Sequence, residues 1–186
     1  NICPQAKLVQ TAPALSCDGD IINLEIAITP ANALLNTDYS VQWYENGNPI
    51  AGATNLTYST TAQAQTCNEI TNAYSVVIKC LKTTDPDITL DAGQVIIPPK
   101  FDQANLTITN GLCGTLPNIT SGCSTYTITP INVPTIINPG ETGQAEYQIS
   151  GNCFLETVFV DYACPDVLCP TVTTTLSGSI KFCDGN

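Results

Sequence analysis

Cysteine is the residue type with the clearest chemistry in this sequence. The number of cysteines is even, 10 in 186 residues, and none form the close C-x-x-C pairs of structural zinc sites. A cytosolic protein seldom carries so many thiols without a metal, whereas secreted domains oxidise them to disulfides. The sequence therefore predicts a disulfide-braced, extracellular or cell-surface protein. Its cysteines are Cys3, Cys17, Cys67, Cys80, Cys113, Cys123, Cys153, Cys164, Cys169 and Cys183.

The absence of histidine removes most catalytic chemistry. It excludes a Ser-His-Asp triad, a His-ligated zinc and the commonest general base. Paired carboxylates that hydrolyse glycosides need a cleft lined with aromatic residues, and aromatic residues make up only 6% of the chain. We expect no enzyme activity, no catalytic residues and no cofactor.

The charge balance limits the partners. The net charge is -11, with 5 basic and 16 acidic residues, so the clustered cations that bind nucleic acid or anionic membranes are missing. No apolar run approaches the roughly 20 residues that span a bilayer. We expect neither a nucleic-acid partner nor direct membrane insertion.

Two acidic loops contain the candidate metal ligands. Asp18 and Asp20 lie in CDGD, and Asp85 and Asp87 lie in TDPD. Carboxylate oxygens suit calcium, which takes about six to eight oxygen ligands. Neither loop has the spacing of an EF-hand or an RTX repeat, and acidic loops are usually just solvated. Calcium is therefore a weak candidate.

Three Asn-x-Thr triplets fit the acceptor pattern for N-glycosylation. Their asparagines are Asn55, Asn105 and Asn118. In a chain rich in Thr and Asn the same triplets also arise by chance, so both interpretations stay open.

The candidate residues named above lie in or between short segments that are rich in Val, Ile, Thr and Tyr. Helical periodicity is almost absent from the sequence. Such segments between Gly, Pro, Asn and Asp clusters are typical of an all-β protein. Pro98 and Pro99 interrupt the pattern because proline cannot donate to a strand ladder. We predict two β-sandwich domains, residues 1–97 and 98–186. The predicted strands are 6–11, 21–28, 40–45, 55–60, 73–80, 88–96, 104–109, 124–129, 143–149, 156–163 and 171–182.

The only tryptophan, Trp43, lies in a short predicted strand just before Asn46 and Gly47. A Trp on the third strand of an immunoglobulin-like sandwich fills the space between the sheets. We therefore predict that Trp43 is a core residue and not a sugar-stacking platform. Asn46-Gly47 fits the positive φ angles of a tight hairpin turn, and Tyr74 stands where such folds often place a tyrosine corner.

Two resemblances support this architecture. VQWYENGNPIAGATNLTYST (41–60) with AYSVVI (73–78) closely resembles the Ig-like repeats of secreted surface proteins and adhesins of Bacteroidetes. LTITNG, NPGETGQAEYQI and TLSGSI, within 104–180, are similar to segments of the ASPM-SPD-2-Hydin type of Ig-like domain, from which the chain departs in its cysteines. Both resemblances imply tandem immunoglobulin-like β-sandwiches, and neither implies catalytic residues.

The immunoglobulin-like arrangement narrows the cysteine pairing. Cys17 and Cys67 precede the predicted strands 21–28 and 73–80 at one end of the first sandwich, and Cys3 and Cys80 lie at the other end. In the second domain, the two cysteines of CPDVLC flank a turn. A bridge between subunits through a terminal cysteine, Cys3 or Cys183, stays open. The predicted pairs are Cys17–Cys67, Cys3–Cys80, Cys164–Cys169, Cys113–Cys123 and Cys153–Cys183.

Low charge favours a structural role outside the cell. Charged residues make up 11% of the chain, against about 25% in typical soluble domains, as expected where neighbours or glycans cover the surface. We expect a subunit of a cell-surface filament or pilus-like fibre, or the stalk of a surface adhesin.

Because methionine is absent, we expect a processed protein or a piece of a longer one. Its partner is then itself, in a head-to-tail homopolymer, or neighbouring modules. A terminal segment such as AKLVQTA or TVTTTLSGSI would complete a neighbour's sheet.

Two other functions stay open. A glycan- or protein-binding adhesive module would show an exposed aromatic patch, for which the candidate residues are Tyr39, Tyr58, Tyr126 and Tyr162. An accessory domain pair of a secreted enzyme would be a monomer that does not self-associate.

Overall fold

The computed structural model describes residues 3–166 and the backbone of residues 171–173 and 179–181. Contacts divide the chain into two compact units. Unit 1 comprises Asn1–Phe101 and Gly151–Phe154, and unit 2 comprises Asp102–Ser150 and Leu155–Asn186. The predicted strand 171–182 and the cysteines at positions 169 and 183 lie wholly or partly outside the described residues. Within the described part, no helix is long and apolar enough to cross a bilayer.

Unit 1 is an immunoglobulin-like β-sandwich of two antiparallel sheets, in the orders β1-β2-β5 and β4-β3-β6-β7. After β1 the chain crosses from the first sheet to the second. There the Ala12 and Ser16 amides donate to the carbonyls of Ala92 and Ile96, at 2.8 and 3.0 Å. A first strand shared between two sheets, with this strand order, is the immunoglobulin-like arrangement. The strands are β1 (Gln5–Gln10), β2 (Ile21–Thr29), β3 (Tyr39–Glu45), β4 (Asn48–Pro49), β5 (Thr57–Thr61), β6 (Ile70–Cys80) and β7 (Ile88–Ile97).

The core of unit 1 lies between its two sheets, because alternate residues of each strand point inward. Trp43 has 0% of its surface exposed, and its indole N–H donates to the Asn55 carbonyl at 2.9 Å. The prediction that Trp43 is a core residue is confirmed. The other largest fully buried side chains of this unit are Ile22, Leu24, Ile26, Tyr74, Val76, Ile78, Val95, Ile97 and Pro98.

The turn between β3 and β4 has the predicted conformation. Asn46 and Gly47 have φ angles of 51° and 78°, the positive values of a two-residue hairpin turn whose twist matches its strands. The Asn46 backbone amide donates to the Ala73 carbonyl at 2.8 Å, and its side-chain oxygen accepts the Ala73 amide at 2.9 Å. The hairpin is therefore anchored to β6.

Tyr74 is not a tyrosine corner, so that prediction is wrong. In a tyrosine corner the hydroxyl bonds to the backbone, whereas the Tyr74 hydroxyl donates to Glu45 Oε1 at 2.8 Å. The register explains the difference, because Glu45 on β3 is the direct partner of Tyr74 on β6. Burial, followed by the Glu45 carboxylate, raises the pKa of Tyr74 well above its ordinary value.

Unit 2 contains the sheets β8-β9, β10-β11-β12 and β13-β14. Its interior is formed by side chains of β9, β11 and β12, among them Ile119, Ile149 and Val160. The Tyr147 hydroxyl donates to the Pro117 carbonyl at 2.6 Å and ties β11 to the segment before β9. The strands are β8 (Leu106–Thr109), β9 (Asn118–Ser121), β10 (Thr127–Asn132), β11 (Thr142–Gly151), β12 (Phe154–Ala163), β13 (Thr171–Thr173) and β14 (Ser179–Lys181). The predicted fold class, all-β with tandem immunoglobulin-like sandwiches braced by disulfides, is confirmed.

Gly111 joins the segment after β8 to the edge of β12. Its amide donates to the Asp161 carbonyl at 2.9 Å, and its carbonyl accepts the Ala163 amide at 3.0 Å. A Cβ at this position would lie 2.6 Å from Tyr162 Cβ and 2.7 Å from Pro117 Cδ. Glycine is therefore required here by close packing.

Replacing Trp43 with alanine is expected to destabilise the protein by about 3–5 kcal/mol, because it empties the centre of the core. Urea unfolding of the unreduced protein, followed by far-UV circular dichroism, measures the loss. Ile21→Ala is the matched control, since Ile21 is 68% exposed and its truncation should cost about 0.5 kcal/mol or less. Equal losses in the two variants would contradict the core assignment.

The raised pKa of Tyr74 predicts a loss of stability in alkali. A folded pKa above the unfolded value of about 10 gives a contribution that is complete below that pH and decreases above it. Between about pH 9 and pH 11, the unfolding free energy of the wild type should fall more steeply than that of Tyr74→Phe, by at most about 1.4 kcal/mol per pH unit. Parallel curves from urea unfolding of the two proteins would refute this assignment.

Candidate functional site

The cysteines form a network of disulfides across the described part of the chain. None of the described cysteines is free. Cys67 and Cys123 are each disulfide-bonded. Three further pairs are defined, namely Cys3–Cys80, Cys17–Cys153 and Cys113–Cys164.

The pair Cys3–Cys80 is the one that the sequence analysis predicts. It joins the residue two positions before β1 to the last residue of β6, with 5.6 Å between the Cα atoms and a sequence separation of 77. Closing a loop of this length is expected to stabilise the fold by roughly 4 kcal/mol in the chain-entropy account. This disulfide holds the start of unit 1 against its second sheet.

The predicted pairs Cys17–Cys67 and Cys153–Cys183 are wrong, because Cys17 bonds to Cys153. The four residues Gly151–Phe154, at the turn between β11 and β12, pack as part of unit 1. Phe154 contacts Phe101 there, with 5.6 Å between the ring centroids. Since this turn comes from the second half of the chain, reasoning within one domain could not identify it as the partner of Cys17.

The predicted pairs Cys113–Cys123 and Cys164–Cys169 are also wrong, because Cys113 bonds to Cys164. The backbone explains the observed pair. Gly111 and Tyr162 form a parallel bridge, so the residues two positions further along each segment are in register. The Cα atoms of the two cysteines lie 4.7 Å apart.

The first acidic loop uses its carboxylates to hold the backbone. Asp18 Oδ1 accepts the Ala64 amide at 2.7 Å, and Asp18 Oδ2 accepts from Lys100 Nζ at 3.4 Å. The bond from Ala64, followed by the bond from Lys100, lowers the pKa of Asp18. Asp20 Oδ2 accepts the Cys17 amide at 2.8 Å. These contacts organise the loop that carries Cys17.

In the second acidic loop, the carboxylate contact is with a side chain. Asp85 Oδ2 accepts the Thr83 hydroxyl at 2.8 Å, and Asp87 is exposed. In the described ranges, no three or more His, Cys, Asp or Glu side chains are grouped so that they could hold a metal ion. The calcium hypothesis gains no support from these contacts.

The glycosylation candidates differ in accessibility. Asn55 and Asn118 are exposed. The Nδ2 atom of Asn105, to which a glycan would attach, is buried and has no hydrogen-bond partner. A glycan on Asn105 therefore has no room in the folded unit, whereas the other two sequons stay candidates.

The four candidate tyrosines do not form an exposed aromatic patch. Tyr39 and Tyr126 are buried, at 2% and 8% exposure, and Tyr58 and Tyr162 are half-buried. Of the aromatic residues whose side chains are described, Phe159 on β12 is the exposed one, at 55%. Sequence reasoning missed it because an outward-facing Phe in a strand cannot be told from a core Phe by pattern alone.

Comparison with known proteins extends only to the fold. No family model and no curated protein matches this chain. Among solved structures, the chain is similar to an I-band fragment of titin, at 8% identity and a TM-score of 0.45, covering 88% of this chain and 66% of that one. It is also similar to the extracellular domains 3–5 of Drosophila OTK, at 11% identity and a TM-score of 0.39, covering 86% and 64%.

A third similar structure is the Bacteroides ovatus protein SGBP-B of a mixed-linkage glucan utilization locus, in complex with a mixed-linkage heptasaccharide. The identity is 12% and the TM-score 0.35, covering 86% of this chain and 47% of that one. The chain thus spans less than two thirds of the length of each of these three structures. At these identities the likeness is one of fold alone.

Peptide mapping of the unreduced protein tests the observed pairing. Cleavage after lysine should leave peptide 1–7 linked to 80–82 through Cys3–Cys80, and peptide 8–79 linked to 101–181. Further cleavage at acidic residues should leave 8–18 linked to 147–156 through Cys17–Cys153. Mass spectrometry before and after reduction identifies each link. A peptide containing Cys17 that is bonded instead to one containing Cys67 would contradict the second pair.

Proposed function

We propose that this chain is a non-enzymatic extracellular structural protein, either a subunit of a cell-surface filament or pilus-like fibre or the stalk of a surface adhesin. The observation that carries the proposal is the covalent bracing of immunoglobulin-like sandwiches. Disulfide pairs span 77, 136 and 51 residues. Such cross-links persist in oxidising, extracellular surroundings, where a structural protein must stay folded without cellular assistance.

The surface of unit 2 supports association with other proteins. Large apolar side chains fill the cores of protein interfaces, which are depleted in charge. Unit 2 exposes several of them in a chain that contains few charged residues. The most exposed are Leu112, Ile131, Ile136, Leu155 and Phe159, each at 54–64%.

The same proposal includes the resemblance of the two units to Bacteroidetes Ig-like repeats and to the ASPM-SPD-2-Hydin type of domain. The motif at 41–60 that resembles Bacteroidetes repeats corresponds to β3, the Asn46-Gly47 turn, β4 and β5. The segments that resemble the ASPM-SPD-2-Hydin type supply β8, most of β11 and the first two residues of β14. We infer that the chain joins to further copies of itself, or to neighbouring modules of the same kind.

An adhesive module is the second candidate function, and one observation favours it. Leu155 and Phe159 lie four residues apart on β12, so they share its outward face, and they are 64% and 55% exposed. An apolar pair of this kind suits a protein surface. It is less suited to a glycan, for which several exposed aromatic rings would be expected.

Negative-stain electron microscopy of the natural, unreduced material, with intact mass on the same sample, tests the proposal. Long fibres of uniform width with a subunit mass near 19.7 kDa, plus any glycan, are expected for a filament subunit. Isolated rods, together with an intact mass much larger than that of this chain, would overturn the filament and favour the stalk. A compact monomer that never self-associates would overturn both.

A further inference from the structure

An apolar groove in unit 2 runs beside the edge strand β10. Its lining is mostly apolar, with Asn118 and Thr135 as the polar members, and includes Leu116, Pro117, Ile128, Pro130, Ile131 and Tyr147. Tyr147 lies at the floor with 5% exposure. Because its hydroxyl is already bonded to the Pro117 carbonyl, it offers the groove only its ring. The groove therefore selects apolar side chains.

The edge of β10 is available to another strand. In the sheet β10-β11-β12, β10 pairs with β11 and has no second partner among the described strands. A free edge presents unpaired backbone donors and acceptors. Pro130 lacks an amide, so it limits such backbone pairing to the part of β10 around residues 127–129. Beyond that point, an added strand must be held by its side chains in the groove.

The sequence around the groove is uncharged over an unusual length. No charged residue occurs between Asp102 and Glu141, in a chain with a net charge of -11. All the groove residues except Tyr147 fall within that run. A partner that enters this groove must leave its charges outside, because burying an unpaired charge is costly.

One segment of the chain has the matching pattern. Residues 171–180, TVTTTLSGSI, lie in an uncharged run between Asp166 and Lys181. Read with the period of a strand, one face carries Val172, Leu176 and Ile180, and the other carries only Thr and Ser. Ten residues in extended form span about 33 Å, which exceeds the length of the six-residue β10.

We propose that the β10 groove of one copy accepts the 171–180 segment of a second copy as an added strand. This inference rests on the proposed filament function and identifies the contact between neighbouring subunits. Backbone pairing along the first half of β10 sets the register, and the apolar face of the donated segment fills the groove over Tyr147. In a single chain, residues 171–173 pair with 179–181, so donation exchanges this local pairing for pairing with a neighbour.

A complementary pair of variants of the full-length, unreduced chain tests the proposal. Ile131→Glu places a charge in the groove at a position that is 54% exposed, so it should fold while losing acceptor function. Leu176→Asp should lose donor function. We expect each variant alone to sediment as a monomer. A 1:1 mixture should form dimers but nothing larger, because the intact segment of Ile131→Glu can enter the intact groove of Leu176→Asp, and no second contact of this kind is possible. Leu34→Glu, also in an exposed position (59%) but in unit 1 and outside the groove, is the matched control and should associate as the wild type does.

A mixture that stays monomeric while the wild type associates would overturn the groove contact and leave the filament function standing. If the wild type itself stays monomeric, the filament function fails, and a synthetic 171–180 peptide then tests the groove. Saturable binding of that peptide, weakened about tenfold or more by Ile131→Glu and unchanged by Leu34→Glu, would support the groove. Absence of binding, or equal weakening by both variants, would overturn it. Circular dichroism and the disulfide map establish that each variant is folded.

Discussion

The burial of a single indole ring organises unit 1. Trp43 is fully enclosed between two sheets whose other inward residues are mostly Val, Ile and Ala, and its N–H must find an acceptor inside the sandwich. The Asn55 carbonyl is that acceptor. The chain after the Asn46-Gly47 turn must therefore return close to β3, and β3 must keep one register against β6. With total stabilities of about 5–15 kcal/mol in proteins of this kind, one large buried side chain is a substantial part of what holds the sheets together.

The backbone hydrogen bonds determine which cysteines lie close enough to form disulfides. Cys113 and Cys164 meet because Gly111 and Tyr162 are bridged two residues earlier, and that bridge exists because glycine has no Cβ to clash with Tyr162 and Pro117. Cys17 is held in a loop that Asp18 and Asp20 tie to nearby amides. The acidic side chains that suggested a metal site thus position a sulfur atom.

The fold class, the inward Trp43 and the Asn46-Gly47 turn could be predicted because each depends on local pattern: strand periodicity, side-chain size and backbone preference. The pairing of Cys17 could not be predicted, because its partner lies in a turn from the second half of the chain that packs as part of unit 1. The pairing of Cys113 could not be predicted either, because it follows from the bridge between Gly111 and Tyr162. The hydrogen bond of Tyr74 could not be predicted either, since its partner Glu45 lies on the neighbouring strand. The β10 groove was also beyond prediction, because an aliphatic residue in a strand does not show whether its face is covered.

The disulfide between Cys17 and Cys153 also sets how the molecule responds to tension. A force that pulls on the chain outside these two residues is borne by the sulfur–sulfur bond, so the 136-residue span between them cannot be pulled out to its full length. At about 3.4 Å per extended residue, roughly 460 Å of contour length is thereby withheld from stretching. Between Cys17 and Cys153 the oxidised chain resists lengthening, and reduction of this disulfide would release the span for stretching.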